Sequence, residues 1–250
     1  MKQVTLFRLF AILICTATMV GCNKSNTFTL KGELDNGANK TIYIEELTPE
    51  GPLFLDSIYL DSEGKFSYKY QMPYPSIYNV HVSPIDYIVL VPQEGERINL
   101  SGDYDSIQWD YSIQGSPESI RLLQLQQYTN DGILLLSDLV DELNHNDSLL
   151  ATNLISQKEY DEAKEITDSI FLNTYGEQQD YMCNFIQTNL GSLSTLLALY
   201  KQFNNQPLIN PRENFDYYEL VLQGLEESQP ENPHTIRFKN TVEHLRYQNK

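Results

Sequence analysis

The chain is poor in the residues that usually carry chemistry. Its 250 residues include three cysteines, Cys15, Cys22 and Cys183, and no two of them form a Cys-x-x-Cys pair. A dithiol redox centre and a cysteine-based zinc site are therefore not expected. The four histidines, His81, His145, His234 and His244, lack the close spacing of a metal-binding pair. His234 and His244 fall on one helical pattern, but ten residues of helix separate them by about 15 Å along the axis, too far to share an ion. Basic residues are scarce, with 17 Lys and Arg against 34 Asp and Glu. So acidic a surface repels phosphates, which argues against a nucleic-acid partner. No Gly-rich phosphate loop is present, and no apolar run reaches the roughly 20 residues that a spanning helix needs. Asp61, Glu63, Asp103 and Asp105 are candidate calcium ligands by type, but the twelve-residue loop spacing is missing and hairpin turns account for them. No metal and no cofactor are expected.

What is present begins at the amino end. Lys2 and Arg8 flank the start of a run of about 12 mostly apolar residues, Leu9 to Val20, the size of a secretory-signal core. The small residue Gly21 then precedes Cys22. Met19-Val20-Gly21-Cys22 resembles the bacterial lipobox, in which the cysteine thiol becomes a diacylglyceryl thioether and the freed amine is acylated. Two or three acyl chains, at about 0.8 kcal/mol per buried methylene, hold a protein stably on a membrane. The resemblance implies a signal peptide over residues 1–21, lipidation at Cys22 and a short anchored linker over residues 22–27. Residues 23–27 carry no acidic run, which favours an outer-membrane anchor facing the periplasm. With the leader removed, 229 residues remain, with 15 basic against 34 acidic side chains and a net charge of −19. Membrane attachment must then come from the lipid, and Cys183, set in the apolar pattern "YMCNFIQ", is left as a lone, inert thiol.

The mature chain changes period once. "FTLKGEL" and "KFSYKYQM" alternate apolar and polar residues, the mark of strands with one buried face. "YIVLV" (Tyr87 to Val91) is apolar on both faces and reads as a central strand. Turns fall at Asp35-Asn36-Gly37, Asp61-Ser62-Glu63-Gly64 and Gln93-Glu94-Gly95-Glu96, each with a glycine for the positive φ of a hairpin. About eight short strands at such spacing point to an antiparallel sandwich or barrel-like domain over residues 28–115. From "GSPES" onward the period is helical. Leu136, Leu139, Val140 and Leu143 form one stripe, and Ser156-x-x-Glu159 is a capping box opening a helix through Tyr160, Ala163, Ile170 and Phe171. "SLSTLLALYKQF" and "TIRFKNTVEHLRY" read as further helices. The expected class is segregated α+β, with an α-helical bundle over residues 116–250.

These segments carry a family resemblance. "FTLKGEL…IYIEEL…LDSIYLDSEGKFSYKY…YIVLVPQEGERINLSGDY…IQGSPES", about residues 28–119, resembles the amino-terminal β domain, of unknown function, in bacterial lipoproteins of the thiol–disulfide interchange group. Its most specific pieces are Asp56-Ser57, Asp61-x-x-Gly64-Lys65-Phe66 and Gly95-Glu96. "FIQTNLGSLSTLLALY" and "QPENPHTIRFKNTVEHL" resemble the helical connector of the same proteins. In that group the connector leads to a thioredoxin-like domain holding the Cys-x-x-Cys pair, whereas this sequence stops at Lys250. The resemblance therefore transfers no catalytic residue. It implies a non-catalytic binding role, with the membrane and another envelope protein as partners. The alternative it implies is the membrane-proximal half of a split or truncated thiol–disulfide interchange protein.

Three weaker patterns remain. Asp-Ser-aliphatic triplets recur at Ser57, Ser106, Ser148 and Ser169. They resemble the acceptor motif of a periplasmic O-glycosylation system, although Asp-Ser pairs also favour turns and caps. Carboxylate pairs such as Glu45-Glu46 and Asp141-Glu142 are adjacent and read as a solvated face, not a hydrolase site. The 17 Tyr and 10 Phe are enough for a stacking groove, and equally suit ordinary strand propensity. Peptide mass spectrometry of protein from its native host tests both modifications together. Acyl chains on Cys22 and glycan mass on Ser57 or Ser106 are expected; an unmodified Cys22 thiol removes the anchor, and bare serines remove the glycan.

Overall fold

Period-two alternation builds the first half. In the computed structural model, which describes residues 26–203 and 206–248, eight strands run between Thr27 and Gln114. Cys22 and its flanking leader lie outside the described residues. One sheet has the order β4 (Lys65–Gln71), β1 (Thr27–Asp35), β7 (Arg97–Asp103), β8 (Tyr111–Gln114). The second has the order β3 (Gly51–Tyr59), β2 (Thr41–Thr48), β5 (Tyr78–His81), β6 (Tyr87–Leu90). Both sheets are open, so the domain is a sandwich and not a closed barrel. Pairing is antiparallel except between β1 and β7, which run parallel; the chain crosses to the second sheet for β2 and β3, returns beside β1 with β4, crosses again for β5 and β6, and returns to the other side of β1 with β7. Phe28, Leu30, Ile98 and Leu100 from one sheet meet Ile42, Ile44, Val80 and Leu90 from the other in a shared core.

Turn chemistry follows the sequence in two places and departs from it in one. Gly64 and Gly95 take positive φ as expected. In the first turn, Asn36 and not Gly37 adopts the left-handed conformation, at φ 57°. The Asp61 carboxylate accepts from the backbone amides of Glu63 and Lys65 at 2.8 and 2.9 Å, which closes the turn that carries the chain from β3 in the second sheet to β4 in the first, a crossover and not the hairpin that the sequence suggests. These bonds hold its carboxyl below the ordinary aspartate range.

The helices fold onto one side of the second sheet. Ser116 caps α1 (Pro117–Ala151), and the full capping box at Ser156 and Glu159 opens α2 (Gln157–Thr188). These two long helices form a hairpin, with Tyr128 stacked on Tyr181 at 3.9 Å between ring centroids. Its end farthest from the sandwich leaves Leu134, Val140, Leu154 and Leu172 exposed. "SLSTLLALYKQF" is not one helix: α3 (Ser194–Leu199) is followed by the short strand β9 (Gln202–Phe203), paired with β10 (Gln206–Pro207). Tyr200 and Phe203, the aromatic residues on either side of Lys201, suit extended backbone, and the buried Phe203 ring packs in the helical core. The helix α4 (Phe215–Ser228) is an addition to the sequence reading. It buries Tyr218, Val221, Leu222 and Leu225 at three- and four-residue spacing. The last helix, α5 (Pro233–Gln248), packs against it.

"YIVLV" is an edge strand by hydrogen bonding, not a central one. It is apolar on both faces because each face meets a different core: Ile88 and Leu90 point into the sandwich, Val89 and Val91 into the helical layer. Past its end the chain is tied to α1, where the Val91 amide donates to Ser119 Oγ at 3.1 Å, itself bonded to Ser116 Oγ at 2.8 Å.

One glycine is fixed by crowding. Gly32 lies on β1 between Phe66 and Leu100, and a Cβ there would meet the Leu100 carbonyl oxygen and, at 2.6 Å, the Phe66 ring. Gly32→Val is expected to lower stability by about 2–3 kcal/mol through overpacking, read as a lower urea midpoint at unchanged m-value.

Candidate functional site

The helical layer does not cover the second sheet completely. Between the two lies a cleft of about 710 Å³, within the range of roughly 300–1,000 Å³ typical of small-molecule sites. The sheet side supplies Leu47, Ile77, Tyr87 and Val89; α1 supplies Leu122, Leu125, Gln126 and Ile133; α3 and its exit supply Leu196, Tyr200 and Lys201. The elements explain the composition. Apolar residues come from the sheet face and the helix stripe that would otherwise have packed together; polar ones come from several elements, Thr48, Gln108, Gln126 and His234 as well as Lys201 and Gln202 in the chain reversal after α3.

Among the described residues, Lys201 is the one lysine on the lining. Its Nζ donates to Gln126 Oε1 at 2.9 Å, and Gln126 Nε2 donates to Asn130 Oδ1 at 2.6 Å. It forms no ion pair among the described residues. Burial holds its pKa below the usual lysine value, with no neighbouring carboxylate to offset the loss of hydration. Although the chain carries 34 acidic residues, none lines the cleft among the described residues. Burial also raises the Tyr200 hydroxyl and pushes that of Tyr111 up to about 12. Both phenols stay protonated at neutral pH and can donate.

His234, at the start of α5, also lines the cleft. Its Nε2 lies 3.2 Å from Ser76 Oγ, and its backbone amide donates to Asn232 Oδ1 at 2.9 Å. Asn232 Nδ2 reaches the Pro75 carbonyl at 2.8 Å, so this corner ties the helical layer to the sandwich.

The other residues singled out in the sequence fall elsewhere, and none of them meets at the cleft. Ser57 on β3, Ser148 on α1 and Ser169 on α2 are exposed, within strand or helix and not at turns or caps. Ser106 alone sits in a turn, half-buried, its carbonyl accepting from the amides of Trp109 and Asp110. Cys183 is a free, half-buried thiol against the helical core. A hydrogen bond with it is the first cause pushing the Tyr217 hydroxyl up to about 12. His145 and His244 are exposed. Among the described residues no group of three His, Cys, Asp or Glu side chains is placed to hold a metal.

Two readings of individual residues are corrected. His81, which by its alternation with Val80 and Val82 reads from the sequence as a solvated strand residue, is instead enclosed: among the described residues both ring nitrogens lack a hydrogen-bond partner, with Glu45 Oε1 3.7 Å away and the Tyr43 ring alongside. Glu46 does not solvate a face either. It is 3% exposed, beside Tyr70, Tyr74 and Tyr78, whose hydroxyls are all raised by burial first and by its charge second. Of the aromatic residues in the β half, Phe28, Phe66 and Tyr78 are buried in the sandwich, with Phe28 and Tyr78 5.2 Å apart between centroids, while Tyr43, Phe54, Tyr59, Tyr87 and Trp109 are exposed. Sequence reasoning missed Lys201, whose signal was a lone cation within "TLLALYKQF", a stretch free of acidic residues.

His234 gives a pH test of the corner. Burial, partly offset by Glu50, holds its folded pKa below the ordinary value. The unfolded chain therefore binds the proton more readily, and stability rises with pH through this window. The contribution is complete above about pH 6.5, the unperturbed histidine value, and is lost as pH falls below it. His234→Gln is expected to flatten the urea midpoint between about pH 5 and 7; an unchanged slope would refute this role.

Residues 28–121, the sandwich and the first turn of α1, match the family model described as Domain of unknown function (DUF4369). No curated protein matches the chain.

Proposed function

We propose that the chain is a non-catalytic binding protein of the bacterial cell envelope, anchored to the outer membrane by acyl chains on Cys22 and facing the periplasm. The observation that carries the binding role is the cleft, a cavity of ligand size whose lining combines leucine and isoleucine side chains with a few convergent donors. A glycosidase role would call for a pair of carboxylates at the cavity, and among the described residues its lining offers none. The anchor is supported by the lipobox-like residues Met19 to Cys22. Among the described residues no helix is long and apolar enough to cross a membrane. Another envelope protein is the proposed macromolecular partner, and the exposed positions of Ser57, Ser148 and Ser169 suit the proposed glycan acceptors.

A second reading makes the chain the membrane-proximal half of a split thiol–disulfide interchange protein. It draws on the likeness of the sandwich and connector to those lipoproteins, and the match over residues 28–121 supports only the sandwich part. An adjacent reading frame encoding a thioredoxin-like segment would favour it.

Ile133, 41% exposed on the lining, can be enlarged without disturbing the core. Native mass spectrometry of protein purified from its host is expected to show a bound small molecule in the wild type and none in Ile133→Trp. Empty wild-type protein, or thiol reductase turnover by the purified chain, would overturn the reading.

A further inference from the structure

The chemistry of the cleft goes beyond size and apolarity. Lys201 brings a positive charge to a wall that no acidic residue shares among the described residues. In a chain with twice as many acidic as basic residues, a partly buried cation is usually neutralised from within. Here Nζ has one described hydrogen bond, to a neutral amide, although an ammonium has three protons to donate. The charge is thus held where water is restricted, and its contacts among the described residues use one of its three donor protons. Around it, the leucine and isoleucine lining needs an apolar body to displace water.

Resting on the reading of the cleft as a binding site, we propose that its ligand is a small amphiphilic monocarboxylate. The carboxylate accepts from Lys201 Nζ, and the apolar body lies against Leu47, Val89, Leu122, Leu125 and Ile133. A single ammonium sets the charge of the ligand. It balances one negative charge, whereas a phosphate monoester, near −2 at neutral pH, would bring an excess charge into an apolar cleft. A cationic amphiphile would meet Lys201 with like charge. A neutral one would fill the apolar wall and leave the ammonium's spare donors unmade. The protonated phenols of Tyr111 and Tyr200 are further donors on the same lining. The apolar lining favours an anion whose body can shed water over one that stays fully hydrated.

The test uses purified protein carrying Cys22→Ser, which removes acyl chains that would compete. Decanoate, decan-1-ol and decylamine share one apolar body and differ in the head group. Isothermal titration calorimetry is expected to give one decanoate site, with decanol weaker by about 10- to 100-fold, the range of one hydrogen bond to a charged group, and no decylamine binding. In Lys201→Met, decanoate is expected to fall to the level of decanol while decanol binding persists, which shows that the cleft still forms. With carboxyl-¹³C decanoate, the bound carboxyl resonance should shift in the wild type and lose that shift in Lys201→Met. Equal binding of decanoate and decanol by the wild type, abolished by Ile133→Trp, would overturn the carboxylate proposal and leave the cleft standing as a binding site. Failure of the wild type to bind decanoate at all would overturn it as well, irrespective of any variant.

Discussion

The structure depends on one sheet having two apolar faces. Around β5 and β6, Val80, Ile88 and Leu90 face the sandwich while Leu47, Ile77, Val89 and Val91 face outward into a second core. An exposed patch of that kind would associate or aggregate, so the sheet requires a cover. The helices supply it, and the two halves are therefore not independent. Their union is also polar: Val91 to Ser119, Asn232 to Pro75 and His234 to Ser76 fix how the layers meet.

The cleft follows from the same constraint. A helix lies on a sheet along one line of contact, and α1 leaves the sheet as it continues into the long hairpin with α2. Where it departs, Ile133 is still on the lining but 41% exposed. The chain reversal after α3 closes this gap from the side and brings Lys201 with it. The site is thus a product of imperfect coverage, with its charge contributed by the segment that turns the corner.

Much of the architecture was legible because it depends on local period. Alternation in "FTLKGEL" and "KFSYKYQM", and the capping box at Ser156, specify strands and a helix start from a few adjacent residues. Non-local placement was not legible. "YIVLV" carries the same apolar run whether it is flanked by two strands or by two cores, and only the helices decide which. Glu46 and its neighbour Glu45 look alike in sequence, yet the pleat turns one inward among tyrosines and the other toward His81. Lys201 was hidden by a run read as helix, and its meaning depends on Gln126, 75 residues earlier. The α4 stripe, by contrast, was readable at Tyr218, Val221, Leu222 and Leu225 and passed unused.

The serine bridge at the start of α1 bears on where the first half can be cut away. Ile120 and Leu123, beyond the last strand, lean on the sandwich core, and Ser119 holds the Val91 amide. A fragment ended at Gly115 would strip that amide of its acceptor and uncover the oily side of β6 in one stroke. Whoever excises this domain for separate study must carry at least two turns of the following helix, and must then mask the face that the remaining helices leave behind.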